Sequence, residues 1–476
     1  MHLGHVITGS LLLTAMIASG RVEGRKPSDE DRSLARQVLA EASQETAKLP
    51  DYSQKEVFGQ IATLQAEAGD IEGMMATINL GYPFTTEAVC TAGKRLTEQG
   101  KLDSALGLAA RLNADSKPTL LYCIAEQLTV AGDRKRALEI AQKISSPDVK
   151  GEALGLLSRA YREAGDDSTA DSLWKEGARL DPQRARDNDM ELSHAAATAR
   201  NKDAGGILGE AQKIKNPSAR IFFLVDMAAS KKGKGDPETA KQLLNKTQEL
   251  AANLSSSTDG DIVRQLYVGM LAKMQEFDRA KTVIAPMSKG TEYQLEALST
   301  LAVFQAEAGM DQEASQTASM ILQQPVSREQ AVEFHMDQSL FQSTIERIAV
   351  AQVNRGEGPG ALKTLSAFQR FGIKDTLNTT LLPLTYAKGR IGDFEGAIEG
   401  LATLLHGRAE QEPFLSDTVK RSLQTLTGEM AAAGKSDAAL AWARKQRSAA
   451  KTMALMGVAQ GLLGLNGIPN YEFYIH

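Results

Sequence analysis

The sequence predicts an all-α protein, an α-solenoid of about eleven helix-turn-helix hairpins, and three observations predict it. First, residues 115–182 write one pattern of about thirty-three residues twice, centred on Ala131-Gly132-Asp133 with Ala137 and on Ala164-Gly165-Asp166 with Ala170. Second, a shift of seventy residues recovers the same text: Ala141-Gln142-Lys143-Ile144 and Pro147 return as Ala211-Gln212-Lys213-Ile214 and Pro217. Third, aromatics are only 5% of the chain, with two Trp, and Ala, Leu, Gln, Glu and Lys dominate, which suits close helix packing. Each Gly-Asp pair ends one amphipathic helix and opens another, because Gly tolerates a positive φ just past a helix end and Asp accepts from the free amides of a helix start. A period this regular outweighs the domain count that 476 residues suggest, since repeat arrays grow in one dimension.

The N-terminus differs from the rest. Residues 6–18 are an apolar run holding Leu11-Leu12-Leu13, and Ala18-Ser19-Gly20 offers small residues at the −3 and −1 positions of a cleavage site. Residues 1–20 therefore read as a secretory signal peptide, although its leading segment carries His2 and His5 in place of Lys or Arg. The run is too short for a transmembrane helix, which needs about twenty apolar residues. Membrane contact is expected only through this transient peptide. Residues 21–52 form an N-terminal helix and cap, opened by Ser28-Asp29-Glu30-Asp31 ahead of Leu34, Val38 and Leu39 and closed by Pro50.

The hairpin array spans 53–467, with turns at Gly69, Gly100, Gly132, Gly165, Lys202, Gly235, Gln275, Gly309, Gly356, Gly392 and Gly434. Five residues after these stand Met74, Ala105, Ala137, Ala170, Ile207, Ala240, Ala280, Ala314, Ala361, Ala397 and Ala439, and nine Ala in eleven mark a helix crossing where little larger fits. Seven residues before each turn the side chain is again mostly small, as at Ala62, Gly93, Ala125, Ser158 and Ala228, and one residue earlier it is large, as at Ile61, Ile124 and Leu157. The intervals lengthen from 31 residues at the start to 47 and 42 near the end, so the N-terminal half is expected to be the regular half. Residues 451–465 supply one more first-type helix, and the aromatic tail 468–476 is expected to fold back as its cap.

These turn, Ala and small-residue positions resemble the tetratricopeptide repeat family over nearly the whole mature chain, although Gln65, Lys231, Gln305, Gln352 and Lys388 stand where that family often has Tyr. The resemblance implies a right-handed superhelix whose first helices line a concave groove. It implies partner binding and no cofactor. In that register the groove-facing side chains lie thirteen, ten, six and three residues before each turn. Candidate binding residues are then Lys94, Tyr122, Glu126, Arg159, Arg162, Phe222 and Val225, with Arg159 and Arg162 expected to hold an acidic end of a ligand and Phe222 and Val225 its apolar face. Past about Leu192 the same positions turn apolar or small, as at Ile262, Gly269 and Val303.

Other chemistry is weakly offered. A net charge of −5 with interspersed signs argues against nucleic acid. Cys90 and Cys123 fall one residue out of phase on neighbouring first helices; packed helices lie about 8–10 Å apart and a disulfide needs Cα atoms within about 7 Å, so two free thiols are expected. His335 near Glu333 and Asp337 is the closest approach to a metal cluster, yet on one helix the His points away from the acids. No nucleophile elbow, phosphate loop or HExxH pattern occurs. The leading expectation is an exported, periplasmic or secreted, non-enzymatic scaffold that binds a protein or peptide, without catalytic or metal residues. Two alternatives are an α/α-toroid glycan-processing enzyme and a structural array of an envelope assembly. Low aromatic content and uneven repeat length speak against the closure a toroid needs.

Overall fold

The structure, a computed structural model, describes residues 26–80, 86–180, 195–196, 198–199, 201–255, 257–323, 336–366, 381–406 and 417–465. The signal peptide, Pro182, Leu192, the side chain of Glu56, the His335 segment and the aromatic tail lie outside the described residues. Among those described, every regular element is helical. Helix α1 (Asp29–Thr46) comes first. Hairpins follow as α2 (Asp51–Glu67) with α3 (Ile71–Ile78), α4 (Thr86–Glu98) with α5 (Leu102–Arg111), α6 (Ser116–Val130) with α7 (Arg134–Ala141), and α8 (Pro147–Glu163) with α9 (Asp167–Leu180). Helix α10 (Ala204–Lys213) precedes α11 (Pro217–Gly233) with α12 (Pro237–Ala252), α13 (Thr258–Lys273) with α14 (Phe277–Ile284), α15 (Glu292–Glu307) with α16 (Asp311–Leu322), and α17 (Met336–Asn354) with α18 (Gly358–Leu365). The chain continues through α19 (Leu381–Arg390), α20 (Phe394–His406), α21 (Asp417–Ala432), α22 (Ser436–Lys445) and α23 (Ser448–Leu462). The two helices of a hairpin pack on each other, and first helices pack on the first helices of their neighbours. This is an all-α solenoid.

The predicted punctuation is present in atomic detail. All nine turn glycines have positive φ, between +72° and +87°, and the next amide returns to the carbonyl five residues back, as from Asp70 to Gln65 at 2.8 Å and from Asp133 to Leu128 at 2.9 Å. Gln275 makes the same turn without Gly, at φ +62°. Asp70, Asp133, Asp166, Asp203, Asp236 and Asp393 each accept from the backbone amide three residues on, which holds the second helix at its start. The crossing residues from Met74 to Ala439 are all buried. Where the sequence substitutes Gln for Tyr, the amide has a fixed partner: Gln65, Gln305 and Gln352 accept from Thr77, Thr317 and Thr364 at 2.7–2.8 Å, always twelve residues on. A hydrogen-bonded clamp thus joins the two helices of those hairpins.

The described residues form two compact units, one between Arg186 and Pro383, the other between Gly20 and Ala185 together with residues from Leu384 on. In the first unit, the long interval before Gln275 is taken up by two sixteen-residue helices and a connecting loop. Arg264 holds that loop, donating to the carbonyls of Leu254 and Ser255, while its ion-pair partner Asp261 accepts from the amide of Ser288 at 3.1 Å. Both charges are 2% exposed, and their hydrogen bonds offset the cost of burying them.

The second unit corrects one expectation. Cys90 and Cys123 are disulfide-bonded, with Cα atoms 5.3 Å apart. The generic interhelical distance misleads here because the α4–α6 crossing is unusually close: Gly93 sits so tightly against Leu120 that a Cβ there would collide with it. Helix α1 covers one side of α23, and the aromatic tail expected to cap that helix lies outside the described residues. Helix α1 packs on α23, which is buried along almost its whole length, through Ala35, Val38, Leu39 and Ala42. Charges rim this joint: Arg444 pairs with Glu41 at 2.9 Å, and Lys451 with Glu45 at 2.9 Å and Glu41 at 3.5 Å. The first and last described helices therefore meet. On its other side α23 crosses α21 at glycines, since a Cβ at Gly457 or Gly461 would strike the carbonyls of Gln424 or Gly428.

Candidate functional site

The face formed by successive first helices is where the sequence places a binding surface, and each unit carries its own part of it. In the second unit, Lys94 of α4 and Glu126 of α6 form an ion pair at 2.7 Å across neighbouring hairpins. Tyr122, one turn before Glu126, and Arg159 of α8 are half-buried on the same set of positions. Arg162 is not on this face. Only 7% exposed, it pairs with Asp167 at 3.2 Å and with Asp171, both on the second helix of its own hairpin. Its charge is already paired within its own hairpin.

In the first unit Phe222 is half-buried on α11, but Val225 is 1% exposed and belongs to the core with Ile221, Phe223 and Leu224. The register explains both corrections. Positions thirteen and six residues before the turn stay reachable in most hairpins. The position three before it is buried in most hairpins, as at Ala66, Arg162, Ala272 and Ala306, or is a Thr bonded back to its own helix, as at Thr97 and Thr129, while Lys232 is exposed there and pairs with Glu276. The position ten before it is buried in some hairpins, as at Val225 and Ser299, and half-buried in others, as at Cys90 and Tyr122.

The same register holds residues that sequence reasoning passed over. Gln265 of α13 and Glu296 of α15 stand ten and thirteen residues before their turns, between the residues read as apolar, and the Gln265 amide donates to the Glu296 carboxylate. Arg347 of α17 donates to the buried Ser299 hydroxyl at 3.4 Å, and Thr344 donates to the same oxygen at 2.7 Å. Polar contacts thus run across α13, α15 and α17. Lys273 and Glu307, each two residues before its turn, complete the face at its turn end.

Electrostatics separate this face from the rest of the surface. Burial pushes the Glu296 carboxyl up, with Glu292 adding in the same direction, while the Gln265 bond and the Arg347 charge act against it. Burial likewise pushes Glu307 up against the attraction of Arg347 and Lys273, and pushes Lys273 down against Glu307. Glu307 is nonetheless exposed. Glu72, paired with Arg111 on open surface, is instead shifted down. Among the described residues, neither Glu296 nor Glu307 makes an ion pair within 4 Å.

No group of three or more His, Cys, Asp or Glu side chains able to hold a metal lies among the described residues, and none of their helices is long and apolar enough to cross a membrane. The chain matches no family model and no curated protein.

Proposed function

We propose that this chain is an exported, periplasmic or secreted, non-enzymatic scaffold of tetratricopeptide-like repeats that binds a protein or peptide along its first-helix face. The observation that carries the reading is the set Gln265, Glu296, Lys273, Glu307 and Arg347. Glu296, Glu307 and Lys273 are shifted toward their neutral forms by burial and make no ion pair within 4 Å among the described residues, while Gln265 and Arg347 bond to neighbouring helices of the same face, and such a polar surface suits a polar partner. Export is supported by the 6–18 run and by the Cys90–Cys123 disulfide, which belongs to an oxidising compartment. A photo-crosslinker at position 265, in the full chain expressed in its own host, tests the proposal. One protein cross-linked in stoichiometric yield supports it; cross-linking to nothing, or an intact Met1 on cytosolic protein, sinks it.

A second reading has one observation in its favour. Within one unit α1 packs on α23, a contact between early and late helices that the α/α-toroid glycan-processing alternative also calls for. Release of reducing ends from glycan polymers by the purified chain is the assay that would establish it.

A further inference from the structure

Cys90 and Cys123 are the two cysteines of the chain, and the bond between them joins two unequal sites. Cys123 lies in the middle of α6 and is 2% exposed, and Leu120, Leu121 and Ile124 beside it in the sequence are buried too. Cys90 stands on α4 ten residues before the turn and is half-buried on the first-helix face. One turn away on that face are Glu87, which is exposed, and Lys94, which pairs with Glu126 of α6 at 2.7 Å. The bond therefore has an inner residue and an outer one. The packing that brings them together has its own supports: Gly93 lies against Leu120, Ala88, Val89 and Ala92 of α4 are buried, and α4 packs on α6. With both helices seated, the Cα atoms stand 5.3 Å apart, inside the range a disulfide needs.

Whatever the first-helix face binds, we infer that Cys90 is the residue through which this bond is made: it takes a mixed disulfide from a small disulfide donor, and Cys123 resolves it from inside. The Cys90 thiolate attacks one sulfur of the donor, forming a bond between Cys90 and that sulfur and expelling the other as a thiolate. The Cys123 thiolate then attacks the Cys90 sulfur, which breaks the mixed disulfide and releases the second donor sulfur. Two electrons pass from the cysteines to the donor, and the two protons that the cysteines lose end on the two donor thiols. Burial decides the order, because the donor must reach the first thiol and only the Cys90 side opens on the face. Geometry suits the second step as well. Cys123 approaches from the buried side, so the donor sulfur leaves toward water, and helices already packed make the attack intramolecular.

Native-state labelling of the full chain tests the order. The protein is reduced with dithiothreitol, freed of reductant under nitrogen, and treated briefly with iodoacetamide before peptide mass mapping. Cys90 is expected to be alkylated at least about tenfold faster than Cys123, and the ratio to fall to about one in urea, where burial is lost. Glutathione disulfide then replaces iodoacetamide. The parent should close the bond while carrying little adduct, Cys123→Ala should hold one glutathione on Cys90, and Cys90→Ala should take one on Cys123 at least about tenfold more slowly. Equal or faster alkylation of Cys123 in the native parent overturns the inference without either variant, so a variant that folds poorly cannot hide the answer. Glutathione found first on Cys123 of the parent overturns it too, and so does a parent that stalls with glutathione on Cys90, since Cys123 would then fail to resolve it.

Discussion

Single residues show how little room this fold leaves. Ala137 sits at the α6–α7 crossing without exposed surface, and its hairpin allows nothing beyond a methyl group. Ala137→Leu should cost about 1–3 kcal/mol of stability by overpacking, read as a lower midpoint in urea; an unchanged midpoint would mean that the crossing is looser than it looks. Glu429 of α21 poses the opposite problem. It is buried, and burial pushes its carboxyl up although Arg390 stands 3.4 Å away. A carboxyl whose folded value exceeds its unfolded one binds its proton more tightly when folded, so that part of stability is present at low pH and lost as pH rises through the folded value. Glu296 and Glu307 act in the same sense. Glu45 and Glu210 act oppositely, because hydrogen bonds from Lys451 and Lys202 lower them, and their contribution is lost below the ordinary glutamate range. The melting temperature should therefore rise as pH falls from neutral toward that range and drop below it. Glu429→Gln should flatten the neutral limb, and a variant with the parent's slope would remove Glu429 from this account. The turn and crossing residues were legible in the sequence because Gly, Asp and Ala each answer a backbone or volume requirement that recurs at every repeat. The fate of Arg162 was not, because its acids, Asp167 and Asp171, lie across its own turn and a register carried over from a resemblance says nothing about them.

At the scale of elements, each hairpin is held by its own small set of bonds and hairpins are held to one another by their first helices. The Gln–Thr clamp illustrates the first. Gln65→Leu should leave the Thr77 hydroxyl with only its bond to the Gly73 carbonyl, and should cost about 1 kcal/mol, measured by denaturant unfolding. The Cys90–Cys123 bond illustrates the second. It joins residues 33 apart on α4 and α6, and constraint of a loop of that size in the unfolded chain is worth about 3–4 kcal/mol. The double variant Cys90→Ala with Cys123→Ala should lose that much stability in buffer without reductant and become insensitive to dithiothreitol. A parent protein indifferent to reduction would argue against the bond. The sequence pattern placed both cysteines on the right helices and still pointed to free thiols, because average helix spacing does not anticipate what one glycine, Gly93, permits. The binding face was half legible for a related reason. The repeat register named the positions of Gln265 and Glu296, yet the apolar neighbours Ile262, Gly269 and Val303 drew the reading away from them. Arg347 lies outside the four groove positions altogether.

At the scale of the whole chain, the joint between α1 and α23 is the contact that periodicity could not reveal. It links residues 403 positions apart, as Glu41 and Arg444 are, and a contact made once leaves no repeating trace in a sequence. Its physical origin is nevertheless plain. A terminal first-type helix presents an apolar side that a following hairpin would cover, and in this unit that side is covered by the helix from the other end of the chain. Leu39, buried against it, carries much of the joint, whereas the Arg444 and Lys451 pairs lie at its rim, where solvent and salt weaken them. Leu39→Ala should therefore cost about 2–5 kcal/mol, and Arg444→Ala no more than about 1 kcal/mol. Hydrogen exchange distinguishes a local joint from a general loss of packing. If the contact works as the packing implies, Leu39→Ala will speed exchange in both α1 and α23, two segments at opposite ends of the sequence, while α13 and α15 in the other unit exchange as in the parent. Faster exchange in α1 alone would show that α23 keeps its order without its cover, and the joint would then be a resting place for the first helix and not the cap of the last.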